Sequence, residues 1–248
     1  MTKSYRGGKG AMGVHQYIIS KMPKHKVYIE THLGSGRILL KKKLANSSIA
    51  IDIDAKVIED FKRYSINKFD DTNIKLLNTD ALKFLIDYNF TGEELVYLDP
   101  PYPFEVRKSQ VKMYEYEYSI QQHQELLHLL VNRVGLDCFI MISSYSNELY
   151  DNMLLESKYG NWYKFTFNAM TRSGIREEAL YCNFNPDEHI KHDYSYIGKD
   201  YRDRERIKRK AKRWIKNLKA LDLDERNYIL SLIVEEILNM SPTLMSET

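Results

Sequence analysis

Asp99-Pro100-Pro101-Tyr102 follows directly on the apolar run Leu95-Val96-Tyr97-Leu98, which places an acceptor-rich tetrapeptide at the end of a buried strand. The Asp99 carboxylate and the Pro100 carbonyl can each accept a hydrogen from an exocyclic amine on an aromatic ring. Pro100 and Pro101 remove two N–H donors from competition and stiffen the backbone around those acceptors. Tyr102 offers a ring face on which a base can stack. Alone, the four letters read as a proline-containing turn after a strand, so the surrounding chain decides.

Upstream, Val27-Tyr28-Ile29-Glu30 reads as a short buried strand, followed by Thr31-His32-Leu33-Gly34-Ser35-Gly36 and a helical pattern from Ile38 to Ala45. A Gly-x-Gly at a strand-to-helix turn lets a ligand approach the backbone closely, and the helix N-terminus behind it favours negative charge. Ser48-Ile49-Ala50-Ile51-Asp52-Ile53-Asp54 is a second apolar strand ending in acid, and an acid in that place can bind ribose hydroxyls. Ile74 to Asn78 is a third strand, running into Thr79-Asp80-Ala81. Four strands thus end, in order, at Gly-x-Gly, Asp52, Asp80 and Asp99.

This ordered series resembles the Dam-type (class alpha) DNA adenine-N6 methyltransferases, whose catalytic motif is DPPY. Tyr5-Arg6-Gly7-Gly8-Lys9 is similar to the aromatic-x-Gly-Gly-Lys motif that opens those enzymes, and it stands on the expected side of the Gly-x-Gly strand. The resemblance implies S-adenosylmethionine as cofactor. Tyr5 and Lys9 would contact it, Glu30, Gly34 and Gly36 would line its methionine half, Asp52 would hold its ribose, and Asp80 would lie by its adenine. Asp99, Pro100, Pro101 and Tyr102 would form the catalytic motif, with Asp99 also bordering the cofactor. His32 stands where the family has a phenylalanine packed on the cofactor, a place in which an imidazole can still stack, and Thr31 replaces a proline. The match runs on through a fifth strand, Asp137 to Tyr145, and a hairpin, Trp162 to Met170 and Glu177 to Phe184, covering roughly the first three quarters of the chain at a length ordinary for one enzyme domain.

One piece of the family pattern is missing. Its usual target-recognition insertion belongs between Asp80 and Asp99, where this chain has only a helix-like segment, Leu82 to Phe90, and a turn. Two other segments can supply nucleic-acid contacts. Pro103 to Tyr118 combines Arg107, Lys108 and Lys112 with alternating Tyr and Glu, and reads either as a flap over a flipped base or as a loop entering a half-exposed strand. From Tyr201 to Lys219 the chain is dense in Arg and Lys, with only Asp203 and Glu205 opposed and no proline or glycine. A basic helix there would contact phosphates through Arg202, Arg204, Arg206, Lys208, Arg209, Lys210, Lys212 and Arg213. Such contacts position a duplex without reading its sequence.

Composition agrees with this picture: 248 residues, 43% hydrophobic, carry a formal net charge of only +3, so the basic character is local to the tail. No N-terminal signal-peptide core and no apolar run near the roughly 20 residues needed to span a bilayer are visible, and the expectation is a cytoplasmic protein without membrane contact. Cys138 and Cys182 lack a ligand spacing and read as small buried side chains; no metal is expected. His123, His128, His189 and His192 read as surface or helix residues, Ser143-Ser144 lack a nucleophile elbow, and Lys41-Lys42-Lys43 read as the solvated face of the helix after Gly36. Arg172 and Arg176 fall at the hairpin turn without an assigned role. In the tail, Ile229-Leu230, Leu232-Ile233 and Ile237-Leu238 recur at helical spacing and read as a packing face.

The expected fold is α/β: a Rossmann-like methyltransferase sheet, mostly parallel, with an antiparallel hairpin at one edge and a C-terminal helical extension. The expected domains are a methyltransferase domain over 1–185 and a basic helical extension over 186–248. The activity expected from the resemblance is transfer of a methyl group from S-adenosylmethionine to adenine N6 of a base flipped from duplex DNA, with no obligatory protein partner. The alternatives are an RNA adenine-N6 methyltransferase and a non-catalytic DNA-binding protein that retains the fold.

Overall fold

The computed structural model describes residues 9, 13–65, 73–103, 115–171 and 174–240. The chain divides into two compact units, Met1–Tyr196 and Ile197–Thr248.

The first unit is built on one seven-stranded sheet. Its strands are β1 (Val27–Glu30), β2 (Ser47–Asp52), β3 (Ile74–Asn78), β4 (Glu94–Leu98), β5 (Phe139–Tyr145), β6 (Tyr163–Thr171) and β7 (Gly174–Cys182), in the spatial order β3-β2-β1-β4-β5-β7-β6. β1 to β5 pair in parallel, while β7 enters antiparallel beside β5 and pairs with β6 as a hairpin. This is the mostly parallel α/β sheet with an antiparallel hairpin at its edge that the sequence led us to expect.

Burial explains the strand sequences. Strands covered on both faces read as unbroken apolar runs, and all five residues of β4 are buried. Alternate residues feed opposite faces: Tyr28, Leu95, Tyr97 and Met141 join one core with Ile18 and Leu39, whereas Ile29, Val96, Leu98, Ile140 and Ile142 join the other with Leu126 and Leu130. Helices α1 (Val14–Ser20), α2 (Arg37–Lys41), α3 (Ala55–Ser65), α4 (Ala81–Asp87), α5 (Ile120–Leu129), α6 (Gly135–Asp137) and α7 (Glu148–Tyr150) connect the strands. A π-helical turn, Leu130–Val134, joins α5 to α6, and another, Asp151–Leu155, extends α7. The start of α5 is fixed by a capping box between Ser119 and Gln122.

The order of the strands reverses direction between β1 and β4. In open α/β sheets the crevice outside the carboxyl ends of the strands at such a reversal is where ligands bind. Glu30 ends β1 and Asp99 follows β4, so the fold brings the two ends together there, with the Thr31 amide donating to the Tyr97 carbonyl at 3.2 Å.

Several local expectations are corrected. α2 stops at Lys41, and Lys42 is buried rather than solvated, its Nζ lying 4.2 Å from the Tyr28 ring centroid and donating to the Lys43 carbonyl. Burial pushes that ammonium down to about 7. His123 sits in α5, but on its inward face, fully buried and hydrogen-bonded to the Tyr150 hydroxyl at 3.1 Å. Residues 115–119 form no strand; they lead irregularly into α5, with Tyr118 buried.

The second unit contains α8 (Tyr201–Ala220) and α9 (Leu223–Met240). The uninterrupted basic segment is helical, as expected, with Asp200 capping it through the Asp203 amide. The apolar residues of α9 pack only in part: Ile229 and Ile233 are half-buried, while Leu230, Leu232 and Ile237 stay exposed. Among the described residues no helix is long and apolar enough to cross a membrane.

Candidate active site

The loop after β1 is shaped by two glycines with left-handed backbone, Gly34 at φ 49° and Gly36 at φ 59°. Gly36 begins α2, and a Cβ there would come within 2.1 Å of the Phe61 ring. Room is therefore the second reason for glycine at this position. Asp52, at the end of β2, fixes the loop from the side: its Oδ2 accepts the Gly34 amide at 2.9 Å and its Oδ1 the Asp54 amide at 3.0 Å. Burial raises its carboxyl above the ordinary range, opposed by those amides. Each oxygen retains a lone pair for a further donor such as a ribose hydroxyl.

Glu30 is 3% exposed, and its Oε2 accepts the Tyr28 hydroxyl at 2.9 Å and the Leu39 amide at 3.2 Å, tying β1 to α2. Burial pushes its carboxyl up to about 8. Asp80 caps α4 through the Lys83 amide at 2.9 Å. His32 is hydrogen-bonded to the Thr31 hydroxyl at 2.9 Å and, through Nε2, to the Tyr118 hydroxyl at 3.1 Å, with the two rings edge-on. Desolvation lowers its imidazole to about 3, which keeps the ring neutral. Tyr118 is close enough to Asp80 and Asp52 for both carboxylates to raise its hydroxyl further above a value already lifted by burial. It thus stands between the ends of β2 and β3 and the loop after β1, a position nothing in its alternating Tyr/Glu surroundings specified.

The DPPY turn is held by charge. Lys9 Nζ lies 2.9 Å from Asp99 Oδ1 and 3.2 Å from Glu178 Oε2, with side-chain exposures of 5%, 18% and 9% for the three groups. Lys9 also donates to the Tyr102 hydroxyl and lies 4.6 Å from that ring's centroid. The Tyr102 hydroxyl in turn donates to Glu178 Oε2 at 3.2 Å, and its ring meets Tyr145 edge-on at 4.6 Å. Burial raises Asp99 to about 6; Lys9 pulls it down and Glu178 pushes it up. The same two carboxylates raise the Lys9 ammonium against its desolvation.

The structure therefore brings Lys9, Asp99, Tyr102 and Glu178 into one cluster, with Pro100 and Pro101 in the connecting turn, Glu30 at the end of the adjoining strand β1, and Asp52 holding Gly34 at the end of β2, the next strand over. Glu178 was missed by sequence reasoning; the available signal was an acid directly ahead of Ala179-Leu180-Tyr181-Cys182 in a strand. Tyr5, Arg107 and Lys108 lie outside the described residues. So does Arg172, while Arg176 places its guanidinium 5.4 Å from the centroid of the Tyr145 ring. On α8, Arg202, Arg206, Lys208, Arg209, Lys210, Lys212 and Arg213 are exposed and Arg204 is half-buried. Arg206 pairs with Asp203 at 2.8 Å and Lys208 with Glu205 at 3.3 Å, so part of that charge is answered within the helix. Among the described residues, no group of three His, Cys, Asp or Glu side chains is placed to hold a metal ion.

No family model and no curated protein matches this chain. Among solved structures it is similar to the precorrin 8w decarboxylase of Methanobacterium thermoautotrophicum, at 15% identity and a TM-score of 0.47 over 72% of this chain and 92% of that one. It is also similar to an rRNA methylase from Streptococcus thermophilus, at 10% identity and a TM-score of 0.46 over 68% of this chain and 92% of that one.

Proposed function

We propose that this chain is an S-adenosylmethionine-dependent methyltransferase that methylates adenine N6 in DNA. The observation that carries the reading is the convergence of Lys9, Asp99 and Tyr102 outside the carboxyl end of β4, next to the β1 loop, where the strand order reverses.

The residues present fit the cofactor. Asp52 keeps acceptor capacity for a ribose at the end of β2, Gly34 and Gly36 keep the loop backbone free of side chains, and the Lys9, Asp99 and Glu178 charges sum to a net negative site suited to a sulfonium. The cofactor supplies an electrophilic methyl group. Asp99 and the Pro100 carbonyl accept the two amine hydrogens and so aim the nitrogen lone pair, which converts a bimolecular encounter into a positioned one. Tyr102 provides the stacking face. Asp99 or water would take the amine proton that the transfer releases. No strong general base is needed, because the amine becomes acidic only as the new bond forms. Most of the catalytic effect is therefore orientation and hydrogen bonding to developing charge.

Asp52→Ala is expected to weaken cofactor binding by ~1.5 to 3 kcal/mol, the value of a hydrogen bond to a charged group. Isothermal calorimetry with S-adenosylmethionine checks this, and an unchanged affinity would remove Asp52 from the site. Incubation with methyl-labelled cofactor and either duplex DNA or structured RNA tests the substrate: label in DNA supports the proposal, and label in RNA alone replaces it with the RNA alternative.

The exposed cations of α8 are the best available source of phosphate contacts, given that the stretch between Asp80 and Asp99 holds only α4 and β4. Reversing the charges of Lys208, Arg209, Lys212 and Arg213 together should lower DNA affinity across all sequences. Each lost contact should flatten the log-log salt dependence by about 0.9 on duplex DNA. A salt titration that leaves both affinity and slope at wild type would make α8 a solvated helix and no more.

A further inference from the structure

Lys9 carries one positive charge and touches two carboxylates on different elements, Asp99 after β4 and Glu178 in β7. Facing Asp99 alone, the ammonium would form a neutral pair and occupy the carboxylate that an incoming amine must use. Removing it would leave a buried ammonium without a counter-ion, which is strongly unfavourable. Glu178 changes this balance. It offers Lys9 a second counter-ion at 3.2 Å, and through the same Oε2 it accepts the Tyr102 hydroxyl, so the ammonium and the stacking ring share one anchor.

We propose that Glu178 is a positioning residue that draws the Lys9 ammonium off Asp99 as the substrate amine arrives, and that keeps the site net negative toward positive charge on the cofactor and the amine. This rests on the methyltransferase reading above. Glu178 neither gains nor loses a proton in the reaction; it sets where Lys9 stands and how readily Asp99 ionises.

The groups that face Asp99 are Lys9, Glu178 and Tyr102, with Tyr97 of β4, Tyr28 and Glu30 of β1, and Tyr150 of α7. Tyr145 and Arg176 stand behind Tyr102. Of these, Glu178 is the carboxylate whose charge pushes Asp99 upward while Lys9 and Tyr102 pull it down. Neutralising it removes that push and leaves the whole of Lys9 to Asp99, so the Asp99 midpoint must fall.

The test is Glu178→Gln, read by a 13C carboxyl NMR titration of Asp99 and by the pH–rate profile. The Asp99 midpoint and the acid limb of the profile should both move to lower pH, by roughly one unit or more. At neutral pH kcat should drop roughly 10- to 100-fold through the misplaced Lys9 and Tyr102, and KM for the cofactor should rise as the site loses its net negative charge. Glu178→Asp, which keeps the charge but withdraws it by one methylene, should shift the midpoint in the same direction by less, and it serves if the glutamine variant does not fold. A folded variant of either kind whose Asp99 midpoint does not move overturns the inference. A wild-type protein that transfers no methyl group to any polymer, with the midpoint still displaced in Glu178→Gln, overturns the functional reading instead and supports the coupling of Glu178 to Asp99.

Discussion

Asp99→Ala is expected to reduce methyl transfer by roughly 100- to 1000-fold, the scale on which enzymes lose rate when one preorganised polar group at the reacting centre is removed. On the proposed function, the substitution deletes the acceptor that aligns the amine. The fold should persist, because Lys9 keeps Glu178 as counter-ion and keeps its bond to the Tyr102 hydroxyl. Neither of the two apolar cores includes Asp99. Single-turnover transfer of a labelled methyl group, alongside circular dichroism and a thermal melt, separates loss of chemistry from loss of structure. A folded variant with turnover near wild type would end the assignment of Asp99 to the reacting centre.

The second large effect is structural. Gly36→Ala places a Cβ 2.1 Å from the Phe61 ring and 3.1 Å from Leu33, at a φ of 59° that side chains with a Cβ rarely adopt. Phe61 is 4% exposed and belongs to one of the two main cores, so it has little freedom to retreat. Left-handed backbone at a non-glycine residue costs roughly 1 to 2 kcal/mol and overpacking of a core roughly 1 to 3 kcal/mol. The sum predicts a stability loss of about 2 to 5 kcal/mol, measured by urea unfolding. A midpoint within error of wild type would mean that the loop and α3 shift apart freely, contrary to the packing described here.

The expected elements form where the sequence is locally consistent. Ile74 to Asn78 and Leu95 to Leu98 declare themselves as strands by apolar content bounded by turn residues, and the residues that end them follow from chain order alone. That is why Asp52, Asp80 and Asp99 were readable as a series. The charges that meet across the sheet were not. Glu178 lies 169 positions from Lys9, and the strand that carries it shows only an acid next to an apolar run, which reads equally as a solvated edge. Lys42 looked like one of three surface lysines, and only the early end of α2 turns its side chain inward over Tyr28. His123 occupies a helix with an ordinary pattern, and its burial depends on Tyr150, which the chain reaches 27 residues later. The α9 stripe shows the opposite failure: helical spacing of apolar residues signals a face that could be covered, and it does not say that a cover exists.

Mass spectrometry of nucleosides reads the proposed transfer of a methyl group to adenine N6 of DNA at the product itself. Duplex DNA is incubated with the protein and methyl-labelled S-adenosylmethionine, then digested completely. Labelled N6-methyldeoxyadenosine is expected with the wild-type protein, and its loss with Asp99→Ala. Label in N4-methyldeoxycytidine, or no label in any deoxynucleoside, would contradict the proposal.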